Sequence, residues 1–384
     1  MHRRILIIGN GPAAWGILSG LSSCDASIRP TVVAPDWPAP SVPGLSQVAL
    51  GHVPIHRADW KAQRQWPAET LHGAVECVDA EARQVHWRDG LGQKVICTYE
   101  FLAAATGTAP RTLEIPSAFR GRILHFHRQA DLAGWMALQP GERVAVVGGG
   151  LVGAEMVEMA VHKGCEVHWL LREGQIWPNI LSHAASSILA REAEAHGVHM
   201  HFNVADGLGH AVQLGAEVIG LAIGAAPHLP PGFPTDNRPR GMYIAGDACG
   251  GPTGWATAMA HGKEVGRAMA AQVTAPPPSA AGIPFRASFF HQKVLAIGEV
   301  VDTDGAVWQS EFKGRICTIA TNAAGRAVGV ASVGVGLDVD QIFHMLSDNV
   351  DPETLINSWP NLMNQAGYGI IQNGLNSNWS KTWI

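Results

Sequence analysis

A glycine-rich turn set between a buried strand and a helix constrains this chain more than any other feature, and it occurs twice. Arg4 to Ile8 reads as a parallel strand covered on both faces, Gly9 to Ala14 as a turn, Ala14 to Ser22 as a helix and Thr31 to Ala34 as the next strand. The order recurs with Val144 to Val147, Gly148 to Gly153, Ala154 to Lys163 and Glu166 to Leu171. Parallel neighbours need a crossover, so each unit demands a parallel sheet with helices on its faces. The first turn, Gly9-Asn10-Gly11-Pro12-Ala13-Ala14, fits G-x-G-x-x-G/A at the place the mechanism requires. Gly9 permits the tight turn, Gly11 removes the side chain that would block a pyrophosphate, and Ala14 lets helix and strand approach closely. The helix start then offers N–H groups and dipole to the phosphates. Asp36 stands about 20 residues further on, where a carboxylate accepts hydrogen bonds from an adenosine ribose. A purely structural turn is the alternative.

The second turn, Gly148-Gly149-Gly150-Leu151-Val152-Gly153-Ala154-Glu155, repeats the fingerprint. Two dinucleotides in one chain imply electron transfer between them. After the following strand, where an acid would select NAD, stand Leu171 and Arg172. Arg172 matches a 2′-phosphate, which favours NADPH, while Glu173 keeps NADH open. A merely solvated Arg172 is the alternative.

Composition removes other classes. A net charge of −5 with no clustered Lys or Arg leaves no electrostatic footprint for nucleic acid. The apolar stretch after the basic start is interrupted at Gly9, and no run approaches the roughly 20 residues of a membrane span, so a soluble, cytoplasmic protein is expected. Six scattered cysteines show no CxxC pair, and no metal site is expected. His196, His199 and His201 lie close together, and HxH on a strand binds metal in some settings, but a partly exposed strand face is the favoured reading. Further strands are expected at Phe101 to Ala105, Val218 to Ile223 and Met242 to Ala245, with strand-like alternation from Ala74 to Trp87. The linker from Thr274 to Gly282, rich in proline, marks a domain boundary. Beyond it, Lys293 to Val301, Ala306 to Phe312, Arg315 to Thr321 and Ala327 to Val333 predict an antiparallel sheet, and 338 to 357 a helical stretch.

Taken as an ordered set, these motifs resemble the FAD-dependent pyridine nucleotide reductases, in their rubredoxin reductase and oxygenase-type ferredoxin reductase branch. The resemblance runs to about residue 335. It rests on Ile8 to Ala14, Ala105-Thr106-Gly107 with Pro110-Arg111, Gly148 to Glu155, Met242 to Asp247, and Trp255-Ala256 with Ala258 and Gly262. It implies an α/β fold of two Rossmann-like dinucleotide domains, as in glutathione reductase, plus a C-terminal α+β domain with an antiparallel sheet. The FAD domain would be discontinuous, 1–112 and 227–274. The NAD(P) domain would cover 113–226, and the interface domain 282–384 with an extra tail, 358–384. Gly9, Gly11, Pro12, Ala13, Ala14, Asp36, Val75, Ala105, Thr106, Gly107, Gly246, Asp247, Trp255 and Ala256 would bind FAD. Gly148, Gly150, Leu151, Val152, Gly153, Glu155 and Arg172 would bind NADH or NADPH. Within that set the resemblance gives Asp247 the ribityl chain, Val75 the adenine, the helix start at Trp255 the flavin pyrimidine, and Glu155 a place near the nicotinamide. A helix cap, a core aromatic and a solvated helix residue are the plainer readings of Asp247, Trp255 and Glu155.

The implied reaction is hydride transfer from NAD(P)H to FAD and then electron release to a small iron protein, a rubredoxin or a [2Fe–2S] ferredoxin. The flavin carries that chemistry, so no catalytic side chain is expected. The resemblance departs at Val42 to Gln47, where two basic residues of the family are missing, and near Pro43, where the disulfide and peroxidase branches place a redox cysteine. The region after residue 200 is also shorter than in the family. Two other functions therefore stay open: an oxidase or reductase of quinones and small oxidants, and a non-catalytic FAD-binding assembly or sensor protein. For the tail, with Trp359, Trp379 and Trp383, a homodimer or partner contact competes with packing on its own domain.

Overall fold

The computed structural model describes residues 4–25, 28–35, 42–55, 67–115, 122–251, 254–279, 282–363 and 379–383. They fall into two compact units, Met1–Arg111 with Ala225–Ala280, and Thr112–Gly224 with Ala281–Ile384.

The first unit opens with β1 (Ile5–Ile8), α1 (Pro12–Cys24), β2 (Thr31–Ala34) and α2 (Val42–Ala49). It continues through β3 (Glu69–Asp79), β4 (Gln84–Asp89), β5 (Lys94–Thr98), β6 (Phe101–Ala104) and β7 (Thr108–Pro110). In the second unit follow β8 (Ile123–Leu124), α3 (Leu132–Met136), β9 (Arg143–Val147), α4 (Leu151–His162), β10 (Glu166–Leu170), α5 (His183–Ala195), β11 (His199–His201), α6 (Gly207–Gln213) and β12 (Val218–Leu221). The chain then returns to the first unit for β13 (Ala225–Pro227), β14 (Met242–Ile244) and α7 (Trp255–Ala271). The second unit closes with β15 (Phe285–Phe289), β16 (Gln292–Gly298), β17 (Ala306–Phe312), β18 (Arg315–Thr321), β19 (Ala327–Val333), α8 (Val339–Ser347), α9 (Pro352–Leu362) and β20 (Ser380–Trp383).

The seven-stranded sheet of the first unit runs β14-β6-β1-β2-β3-β4-β5. Its β14-β6-β1-β2-β3 part is parallel, and β3, β4 and β5 form an antiparallel meander. The alternation from Ala74 to Trp87 is thus two strands, because Asp79 to Arg83 reverses the chain, with Arg83 at φ 52°. Both faces of β1 are covered, which explains its unbroken ILII. Helices α1 and α7 pack closely on one another through glycines. A Cβ at Gly16 would lie 2.1 Å from the Met259 carbonyl oxygen, and one at Gly262 2.1 Å from that of Ala13. Around this contact Ile17, Leu18, Leu21, Val265 and Met269 form the buried core.

In the second unit a wholly parallel sheet, β11-β10-β9-β12-β8, carries the second glycine turn, and a six-stranded antiparallel sheet, β15-β16-β19-β18-β17-β20, forms the C-terminal part. The helical stretch expected at 338–357 is two helices, because Asp348 to Asp351 interrupts it and Asp351 caps α9 through the Thr354 N–H. Wholly buried Trp359 meets Trp379 edge to face, with ring centroids 5.1 Å apart. Backbone pairing with β17 makes β20 the edge strand on that side of the sheet.

Candidate functional site

Each glycine turn leaves the central strand of the parallel part of its sheet, at the point where neighbouring crossovers diverge. Strand β1 lies between β2 and β6, and β9 between β10 and β12, the arrangement that opens a crevice at the carboxyl ends of the strands.

The two turns have nearly the same geometry. Gly9 has φ 104°, and a Cβ there would come within 2.4 Å of the Ala105 carbonyl oxygen. Gly148 has φ 117°, and its Cβ would come within 2.1 Å of the Ala222 carbonyl oxygen. Only glycine meets both demands. Two residues on, Gly11 (φ −79°, ψ −170°) and Gly150 (φ −81°, ψ −175°) are the N-caps of α1 and α4. A Cβ at either would meet nothing within 4 Å. Each N-cap is a glycine with no capping side chain, and the first-turn N–H donors of such a helix start suit an anion. Both helices start earlier than the sequence suggests, at Pro12 and at Leu151, since the cap is the open glycine itself and Pro12 suits the first helical position. Ala13 and Ala14 are buried, and a Cβ added at Gly153 would lie 2.2 Å from the Gly148 carbonyl oxygen. Leu151 and Val152 are exposed on the first turn of α4, and Glu155 is half-buried.

Around the first turn, Ala105 continues β6 with its N–H on the Ile8 carbonyl at 2.8 Å. The Thr106 hydroxyl donates to the His228 carbonyl, and the His228 N–H donates to the Gly107 carbonyl at 2.9 Å. Gly246 and Asp247 form a 3-10 turn directly after β14. The Gly254 N–H donates to Asp247 Oδ1 at 3.3 Å, which ties the turn to the start of α7 at Trp255 and Ala256. Burial raises the Asp247 carboxyl above its ordinary value, and that hydrogen bond opposes the rise. Val75 is half-buried on β3, opposite Trp87. Asp36 lies outside the described residues.

Sequence reasoning missed His261. This buried residue of α7 accepts the Gly246 N–H at Nδ1 (3.0 Å), which leaves the proton on Nε2 to donate to the Pro276 carbonyl (3.0 Å). Desolvation lowers its pKa, in keeping with the neutral ring.

In the second unit Arg172 follows β10 and forks onto Glu173 Oε1 at 2.7 and 3.0 Å. Its side chain is 81% exposed, and such a pair is weak. His199 and His201 do sit on a strand, but β11 pairs with β10 and brings Glu166 and His168 to them. His168 Nε2 lies 3.0 Å from Glu166 Oε1, which also accepts from Arg143 Nε at 2.9 Å. Hydrogen bonds from Arg143 and then from His168 hold the Glu166 carboxyl down at about 2.

The sequence profile of the pyridine nucleotide-disulphide oxidoreductase family matches residues 3–206. The nitric oxide reductase FlRd-NAD(+) reductase of Salmonella paratyphi C is 30% identical over 212 residues, 52% of this chain and 53% of the relative. The ferredoxin–NAD(+) reductase component of the p-cumate 2,3-dioxygenase system of Pseudomonas putida is 26% identical over 243 residues, 59% of each. The chain thus spans about half the length of the curated relatives it matches. Among solved structures, the ferredoxin reductase for the CYP199A2 system of Rhodopseudomonas palustris superposes with a TM-score of 0.73 at 19% identity, over 91% of this chain and 96% of that one. That likeness concerns the fold. Among the described residues no helix is long and apolar enough to cross a membrane.

Proposed function

This chain belongs to the pyridine nucleotide-disulphide oxidoreductase family, and from that premise we propose that it is an FAD-dependent NAD(P)H oxidoreductase that passes electrons to a small iron protein, a rubredoxin or a [2Fe–2S] ferredoxin. The observation that carries the reading is the pair of matched turns, each with a crowded first glycine and an open second one at an uncapped helix start. In both, the space beside the second glycine is what a pyrophosphate needs, so the residues fit a dinucleotide.

We assign FAD to the turn at Gly9 to Ala14 in 1–112 and 227–274, and the nicotinamide coenzyme to the turn at Gly148 to Glu155 in 113–226. Bound FAD supplies the hydride-accepting and single-electron chemistry. The residues of the chain do the rest. N–H groups at the start of α1 hold one pyrophosphate, and those at the start of α4 the other. Asp247 would accept a hydrogen bond from a ribityl hydroxyl of the flavin, and the positive end of α7 would favour negative charge on its ring system. Arg172, now paired with Glu173, would hold a 2′-phosphate, and NADPH would then be the preferred coenzyme. A cytoplasmic location belongs to the same proposal.

The test is the absorbance of the purified yellow protein, without oxygen, before and after NADH and NADPH. Bleaching of the flavin band by either coenzyme, followed by faster reoxidation with a rubredoxin or ferredoxin than with oxygen or a quinone, is the expected result. A flavin that neither coenzyme bleaches would instead identify a non-catalytic FAD-binding protein.

A further inference from the structure

In the ladder between β10 and the edge strand β11, His168 pairs with His199 and Leu170 with His201. Side chains two apart on a strand share a face, so Glu166 and His168 on β10 lie beside His199 and His201 on β11. The His168 and His199 rings stack with centroids 4.7 Å apart at 22°. One ligand atom each from Glu166, His168 and His199 lies within 4.8 Å of the others. Behind them, His168 Nδ1 is 3.1 Å from His201 Nε2, and His201 Nδ1 is 3.4 Å from His210 Nε2 on α6.

We propose that Glu166, His168 and His199 bind one divalent transition ion of the zinc class, with His201 and His210 positioning His168. Two imidazoles and a carboxylate are the donors that zinc, nickel and cobalt accept, whereas magnesium and calcium require oxygen. Zinc–nitrogen bonds of about 2.0–2.1 Å put tetrahedral ligand atoms about 3.3 Å apart. His168 and Glu166 are already at 3.0 Å, and only His199 has to close in. His199 is exposed on the edge strand, and among the described residues no hydrogen bond holds its ring nitrogens.

Without the ion, His168 carries its proton on Nε2 and donates it in a hydrogen bond to Glu166 Oε1. The ion takes that place. His168 then turns its Nε2 lone pair to the metal and carries its proton on Nδ1, donating to His201 Nε2, while His201 donates from Nδ1 to His210. Each imidazole keeps one proton, so the exchange of tautomers balances without proton release. This is the outer support that fixes ring and tautomer in zinc–histidine sites. Arg143 donates to both carboxylate oxygens, from Nε to Oε1 at 2.9 Å and from Nη2 to Oε2 at 3.1 Å, so the ion shares Oε1 with it and takes the place that His168 gives up. The Arg143 charge opposes that of the ion, which leaves imidazole affinity to decide which ions enter.

Glu166 begins β10 and Arg172 lies past its other end, about 20 Å away for six residues of strand. The ion therefore binds apart from the second glycine turn, and this proposal stands or falls separately from the coenzyme reading. The experiment is calorimetric titration of the full-length, FAD-loaded, chelator-treated protein with zinc chloride and, in parallel, magnesium chloride. One zinc per chain and no magnesium binding are expected. His199→Ala, at an exposed edge, should weaken zinc binding by more than about tenfold, and His201→Phe by about 10- to 100-fold. Saturating NADPH should leave the zinc affinity unchanged. Absence of saturable zinc binding, equal uptake of magnesium, or zinc affinity untouched by His199→Ala would overturn the assignment.

Discussion

Gly11 and Gly150 separate cofactor binding from folding more cleanly than other positions, because each has the backbone of an N-cap and empty space where a side chain would go. Serine is a favoured N-cap. Gly11→Ser should keep or raise the melting temperature of the FAD-free protein while FAD content on purification drops. Gly150→Ser should retain FAD and lose reduction by NAD(P)H. If either variant binds both cofactors as before, the turn at that position is only structural. Gly9→Ala is a different case, since φ 104° and the Ala105 carbonyl oxygen at 2.4 Å make it fail in folding as well as binding. Arg172→Ala should lower kcat/KM for NADPH by about 10- to 100-fold, the worth of a charge-assisted hydrogen bond, and leave that for NADH unchanged. Equal loss for both coenzymes would show that Arg172 reads no 2′-phosphate. The glycines are legible in the sequence because each answers a local backbone demand. His261 and the His168–His199 pair are not, since one depends on a return of the chain from Gly246 and the other on the register between two strands.

At the scale of elements, α4 and the turn after β15 share a half-buried hydrogen bond. Glu158 Oε1 accepts the Phe290 N–H at 2.6 Å; burial raises the carboxyl from 4.5 to about 7 against the opposing pull of that hydrogen bond, with a smaller push from Glu155. The folded chain therefore keeps a proton that the unfolded chain has lost between those values, and stability falls as pH rises from about 4.5 through about 7. Glu158→Gln preserves an acceptor without the charge. It should flatten this slope and raise stability above pH 7 by about 1–2 kcal/mol, read from urea midpoints on either side of neutrality. An unchanged slope would place the titration elsewhere. The contact of α1 with α7 gives a second expectation. Gly262→Ala drives a Cβ into the Ala13 carbonyl and should cost about 1–3 kcal/mol with partial loss of FAD, measured by thermal melting and flavin release. Elements with a strong local signal, such as β17, β18 and β19, are legible to the residue. Helix α5 was not, because HAASSILAREAEA is dominated by small and charged residues and its apolar stripe is thin, although Ser182 caps it through the Ala185 N–H. Helix α2 was hidden by the proline and glycine at its start.

Over the whole molecule, the two glycine turns belong to different compact units, so the two cofactors should protect different amides. In hydrogen exchange, FAD should slow α1, α7 and the turn at Gly246–Cys249, and NADPH should slow the start of α4 and the end of β10. Protection by NADPH confined to α1 would refute the assignment of the second turn. The first unit is also discontinuous, and that has a consequence for how the protein is made. Helix α1 is complete at Cys24, but the helix that covers its apolar side ends only at Ala271. At about 5–20 residues per second, a ribosome needs about 12–50 s to bridge that interval. Throughout it Ile17, Leu18 and Leu21 have no native partner on α7, and the first cofactor cradle cannot close. The nascent chain should accordingly be a client of ribosome-associated chaperones, and slower growth temperatures should raise the yield of yellow protein more than the yield of total protein.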